Sequence, residues 1–369
     1  MFIKKNKEEY DVVILTSLIL LPLISAIALP FYIYNYGIVW QEPVLLLFGW
    51  FFAGMGITIG YHRLFSHRSF KTYPFVEWIL MICGSMALQN SIINWCSDHR
   101  RHHKKLDTDD DPYSIKKGFL HAHIGWIVKK NDYQISGVSD LYKKSAIKFQ
   151  NKYYWVIAIF FAFIVPLLIG ILFNRPWGGL IWGGFLRVTL VHHFTFFINS
   201  FCHFIGERNY DRNTTARDSW IMALFTFGEG YHNYHHKFQW DYRNGIKWYN
   251  FDPSKWIIKI LSYFNITYNL RKAAEYNIAK AKINTINERI FHLSKNINHK
   301  YKNKIEQIIN RSTKYISLWQ SLEKRYKSFN NLTKKEKLIY SYKKKIYRDE
   351  LQSSISSLML IFINIKNIA

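Results

Sequence analysis

Residues 43–67 read PVLLLFGWFFAGMGITIGYHRLFSH, an apolar run that closes on a histidine pair, His62 and His67. The part from 43 to 61 is long enough to cross a bilayer core, which takes about 20 helical residues. Gly54, Gly56 and Gly60 within it leave room for a neighbouring helix to approach closely. Two side chains five residues apart diverge on a regular α-helix. The spacing therefore predicts that the span ends between His62 and His67, at a membrane–water boundary.

Working outward, three more apolar runs have spanning length, at 12–34, 153–173 and 177–201. Residues 74–95 are also apolar but carry Glu77, Gln89, Asn90 and Asn94, which predicts a re-entrant or half-buried segment against protein. The linker 35–42 has no Lys or Arg and the turn at 174–177 has only Arg175, whereas 97–152 and everything after 203 are rich in both. Positive residues stay on the cytosolic side. The expected topology is an all-α integral membrane protein with four spans, both termini cytosolic and every large polar segment on that face. The N-terminal MFIKKNKEEYD leads into a run too long for a signal-peptide core, so it reads as a retained first helix.

The chain carries 50 Lys+Arg against 25 Asp+Glu, a formal net charge of +25. Without a recognisable nucleic-acid module, this charge reads as basic flanks of apolar spans lying against anionic headgroups, with no nucleic-acid partner. Three cysteines, Cys83, Cys96 and Cys202, form no CxxC pair and no even framework. Beyond residue 270 the character changes. Ile283, Ile286, Ile290, Leu293 and Ile297 repeat at spacings of 3, 4, 3 and 4 between Lys, Asn and Glu, a short heptad seam. The expected division is a membrane domain over 1–265 and a basic amphipathic helical extension over 270–369.

Nine of the 15 histidines fall into tight groups: His62 and His67; His99, His102 and His103; His203; and His232, His235 and His236. In an H-x2-H-H group the imidazoles share one helix face. Each group sits at an expected membrane–cytosol boundary, and the topology gathers them on one side. Imidazole suits Fe, Zn and Cu. Nine ligands exceed one ion's needs and fit two metals. No cysteine has ligand spacing, which argues against a structural zinc site. Asp98, Arg100, Arg101 and Glu229 stand ready to orient the imidazoles. Two redox-active metals with an open position can activate O2, so oxidative chemistry on a membrane-soluble substrate follows.

The motifs HRLFSH, DHRRHH, NSFCH and GEGYHNYHH together resemble the membrane fatty acid desaturases of the stearoyl-CoA, delta-9 type, over about residues 10–265. The stretch TARDSWIMALFTFGEGYHNYHHKFQWDYRNGIKWYNFDPSKW is similar to the bacterial branch. The resemblance implies four transmembrane helices under a cytosolic helical cap that holds a di-iron site at the mouth of a bent acyl tunnel. It implies iron ligation by His62, His67, His99, His102, His103, His203, His232, His235 and His236, with Asn199 acting through a water. It implies insertion of a cis double bond into a long acyl chain, with O2 as co-substrate. Asn90, Asp98, Lys129 and Lys130 match positions that contact the carrier portion of acyl-CoA, and the two lysines equally suit cytosolic-side anchoring. Ser97 and Phe196 depart from the family's arginine and tryptophan, which leaves CoA, a carrier protein or a phospholipid as the carrier.

Counting back along the second span from His62 leads to Thr58, Met55 and Phe51. Phe51 is the expected closure of the acyl tunnel, with adjacent Trp50 serving if the helix is rotated. No electron-donor module is visible, so an external ferredoxin or cytochrome b5 type donor is expected. A bacterial inner membrane is the expected location, or the endoplasmic reticulum for a eukaryotic chain. Rival readings are a di-iron lipid hydroxylase or alkane monooxygenase and, in another class, a metal transporter, whose ionisable groups would lie deep within the spans.

Overall fold

The computed structural model of the chain describes residues 9–130, 134–293, 299–327 and 333–368. Four helices are long and apolar enough to cross a membrane: α1 (Val12–Tyr36), α2 (Gln41–Ser66), α5 (Ser145–Leu172) and α6 (Pro176–Phe204). The chain is a membrane protein, helical apart from a two-residue strand pair, Lys71–Thr72 with Thr267–Tyr268, among the described residues. Asp11 starts α1 by accepting from the Ile14 amide, and Gly37, at φ 66°, ends it.

The second span ends at Ser66, between its histidines as expected, and His67 caps it. From Gly56 to Ser66 the helix widens into π turns, and the His67 amide reaches the His62 carbonyl at 3.0 Å. An i→i+5 bond brings the fifth residue back toward the same face, so His62 and the capping His67 stay together (ring centroids 4.7 Å) at the end of the helix. The same region lets two backbones touch: a Cβ on Gly56 would lie 2.1 Å from the Gly84 nitrogen.

The segment expected to be re-entrant consists of two helices, α3 (Pro74–Ser85) and α4 (Ile92–Lys105), joined by a turn in which Leu88 and Asn90 have φ of 53° and 77°. Only α4 carries the second histidine group. Ser91 caps it by accepting from the Asn94 amide, while Asn90 Oδ1 accepts from the Ser91 amide. Three further short helices follow: α7 (Trp220–Phe225), α8 (His232–Lys237) and α9 (Pro253–Tyr263).

The chain forms two compact units, one of residues 1–206 and 215–271, the other of 207–214 and 272–369. The second contains α10 (Glu275–Leu293), α11 (His299–Lys327) and α12 (Lys334–Ile368), packed about their own core. Ile283, Ile286 and Ile290 of the heptad seam are buried there with Trp319, Leu351 and Leu358. Leu293 faces outward, and Ile297 lies outside the described residues.

Candidate metal centre and acyl cavity

The nine histidines form two groups, His62, His67, His99, His103 and His235, and His102, His203, His232 and His236. Within each group one nitrogen per residue lies within 4.8 Å of all the others. Helix geometry explains the sorting. Residues i and i+4 are about 40° apart around the axis, and i+3 lies to the other side. His99 and His103 of α4 therefore enter the five-membered group while His102 enters the other. In α8 the pairing is reversed: His232 and His236 join His102, and His235 joins His99 and His103.

Their Nε2 atoms face one another. His62 and His235 are 3.0 Å apart, His67 and His99 2.9 Å, and His235 and His103 3.0 Å. In the second group His232 is 3.0 Å from both His203 and His236, and His236 is 3.3 Å from His102. A neutral imidazole carries only one N–H, and several outer nitrogens have partners that claim it. His102 Nδ1 lies 2.7 Å from Asp111 Oδ1, and His203 Nδ1 2.8 Å from Thr215 Oγ1. His99 Nδ1 lies 3.1 Å from the Tyr113 hydroxyl, and His62 Nδ1 2.8 Å from Glu229 Oε2. With the proton held on Nδ1, the inward Nε2 atoms present lone pairs to one another, an arrangement a cation relieves. The residues thus fit two metal ions.

Electrostatics agrees. Burial, then the neighbouring imidazoles, hold His67, His99, His103, His232, His235 and His236 well below the usual histidine range, so they stay neutral and able to ligate. Burial pushes the Glu229 carboxyl up, but His62 and Arg63 beside it draw it lower still. Arg63, only 1% exposed, is tied by 3.0 Å contacts to both Glu229 and Asp252.

A cavity of about 840 Å³ runs to this centre, with His62, His99 and His232 in its wall. Its apolar lining includes Leu18, Leu21, Ile57, Trp95, Phe163 and Ile198, and its polar lining Asp11, Asn90, Asp98, Lys129 and Asn199. Buried ligand sites are typically of this size and character.

Not every expected residue is here. Lys130 is not in the wall; its ammonium lies 3.3 Å from Glu9. Phe51 is also outside it, with its ring edge-on to Phe227 at 5.9 Å. Of the positions counted back from His62, Thr58 is in the wall and Met55 and Phe51 are not, while Ile57 joins it, because the π turns beginning at Gly56 break the 3.6-residue count. Arg100 does not orient an imidazole. It binds the Phe65 and Ser66 carbonyls and pairs with Asp140. The orienting roles of Asp111, Tyr113 and Thr215 carry no local signal in the sequence, since only tertiary packing brings them to their histidines.

Comparison with known proteins agrees with this geometry. The chain is 46% identical over 233 residues to a probable acyl-CoA desaturase of Schizosaccharomyces pombe, covering 62% of this chain and 49% of that protein. It is 36% identical over 231 residues to an sn-1 stearoyl-lipid 9-desaturase of Anabaena variabilis, covering 62% and 84%. It is 35% identical over 258 residues to a stearoyl-CoA desaturase 5 of Bos taurus, covering 66% and 76%. The chain spans about half the length of the yeast relatives it matches, 49% and 46%. The sequence model described as fatty acid desaturase matches residues 12–271, and the chain belongs to that family.

Proposed function

We propose that this chain is an acyl desaturase that inserts a cis double bond, at the delta-9 position, into a long acyl chain carried as acyl-CoA. The observation that carries this reading is the junction of a long apolar cavity with two convergent imidazole groups. Nine histidines would hold two irons, which supply the O2-activating redox chemistry that imidazoles lack. Asn199, in the cavity wall, would hold a water at the metal. Asp111, Thr215 and Tyr113 keep protons on outer ring nitrogens, leaving the inner ones to ligate. The apolar walls bind and orient the acyl chain and exclude water from the reacting carbons.

The acyl-CoA carrier is supported by the names of the yeast and cattle relatives and by the presence of Lys129, Asn90 and Asp98 in the cavity wall. The cyanobacterial relative's name supports a glycerolipid as the second reading. An external one-electron donor of the ferredoxin or cytochrome b5 type completes the reaction. The Lys and Arg distribution supports cytosolic termini, in a bacterial inner membrane or the endoplasmic reticulum. The test is purified protein in liposomes with a donor system, stearoyl-CoA or stearoyl-glycerolipid, and iron analysis. Two irons per chain and an oleoyl product are expected. A hydroxylated product, or a single metal unaffected by His232→Ala, would reject the proposal.

A further inference from the structure

The residues that orient two histidines of the four-membered group form one connected chain. His102 Nδ1 is 2.7 Å from Asp111 Oδ1, and Asp111 Oδ2 accepts from the Asp107 amide at 3.0 Å. Asp107 accepts from Thr215 twice, from its amide at 2.8 Å and its hydroxyl at 2.5 Å. Thr215 Oγ1 has one proton and gives it to Asp107, so toward His203 Nδ1, 2.8 Å away, it can only accept. That fixes the His203 tautomer with Nε2 free for a metal. The five-membered group has other supports, Glu229 on His62 and Tyr113 on His99.

Thr215 is the first residue after the connector 207–214, which begins four residues beyond His203. This connector lies inside the stretch matched by the family but belongs to the same compact unit as the C-terminal helices, which lie outside it. Arg289 of α10 donates through Nη2 to the Arg208 carbonyl at 2.6 Å and to Asn209 Oδ1 at 3.2 Å. The Lys282 ammonium stands 5.4 Å from the centroid of the Tyr210 ring, and Tyr210 is buried. The connector is also tied to itself: Arg208 Nη1 donates to the Arg212 carbonyl at 3.1 Å, and Asp211 accepts from the Asn213 amide at 2.9 Å. Its ends continue covalently into Gly206 and Thr215, so holding it limits where the Thr215 hydroxyl can sit.

We propose that the C-terminal helical unit, through Arg289, holds the 207–214 connector and thereby positions Thr215, His203 and His102 for one of the two metal positions. Arg289 is a positioning residue in this scheme, and the C-terminal unit serves metal retention without supplying a ligand. The inference rests on the two-iron reading and predicts an effect on one iron only.

The test uses the full-length chain with iron loaded, comparing the parent protein with Arg289→Ala, Arg289→Lys, Thr215→Val and the Arg289→Ala/Thr215→Val pair. Iron per chain, hydrogen exchange across 207–217 and the thermal midpoint are measured. Arg289→Ala should speed exchange in that segment and lower iron from two per chain toward one, at a nearly unchanged midpoint. Thr215→Val should lose the same iron, and the pair no more than either alone. Arg289→Lys, which still donates to a carbonyl, should recover part of the loss. Faster exchange with both irons retained in Arg289→Ala overturns the inference. So does loss of both irons together with a lower midpoint, which marks a general folding role. Fewer than two irons in the parent protein overturns the two-iron reading and the inference with it.

Discussion

Replacing Trp50 with alanine tests where the acyl cavity ends. Beyond Ile57, Thr58, Thr195 and Ile198, which line the main cavity, lies a second void of about 20 Å³ closed by Trp50, Phe194 and Phe227. The rings form a tight plug: Trp50 is 4.8 Å from Phe227 and 5.8 Å from Phe194. Phe227 fills the notch left at Gly54, where a Cβ would come within 2.1 Å of its ring. Trp50 lies twelve residues before His62, well along the span from the metal end. Removing the indole joins the void to the cavity and makes room for about two methylenes. At about 0.8 kcal/mol per buried methylene the gain is about 1.6 kcal/mol, or roughly fifteenfold in relative kcat/KM for C20 over C18. The assay is gas chromatography of products from C14 to C20 acyl-CoA in liposomes, with iron content as the control. The double bond should stay at its carbon, since the metal end is untouched. Phe51→Ala should leave the profile alone, because Phe51 lines neither cavity. An unchanged profile in iron-replete Trp50→Ala would refute the plug, and a shift in Phe51→Ala would refute the assignment of the helix face.

Other consequences follow from the packing. Gly56→Ala should prevent stable folding, measured as loss of monodisperse protein on extraction, because its Cβ would strike backbone atoms of Cys83 and Gly84 at 2.3 and 2.1 Å. Asp252→Ala should cost about 3–5 kcal/mol in denaturation, since it strands part of the buried Arg63 charge and the Asn244, Gly245 and Lys255 amides it accepts from. For Asp140, burial raises the carboxyl but Arg100 draws it lower, so the folded state favours the charged form. The stability it adds is present above the ordinary value of about 3.9 and is lost as pH falls. Being partly exposed, the pair is worth about 0.5–1 kcal/mol, so the thermal-midpoint gap between the parent protein and Asp140→Asn should be small at pH 7, hold down to about pH 4 and close only as pH falls below that.

Local pattern determined much of this protein on its own. Apolar runs of spanning length, the placing of Lys and Arg, and histidines at helical spacing are properties of short stretches. They predicted the four membrane helices and the nine residues that structurally converge. What required the tertiary structure is whatever depends on phase and on distant partners. The π turns over Gly56–Ser66 keep His62 and His67 on one face and, while Thr58 lines the cavity as counted, bring in Ile57 in place of Met55 and Phe51, because the wider turns rotate everything beyond them. The division of each H-x2-H-H group between the two imidazole clusters needed α4 and α8 to face each other. Asp111, Thr215 and Tyr113 acquired their roles only by packing against imidazoles from 9 to 14 residues away, separations with no fixed geometry until the chain is folded. The heptad seam announced a helix beyond residue 270. That its partners are two later helices and an eight-residue connector, 207–214, from the desaturase domain was decided by the folded core alone.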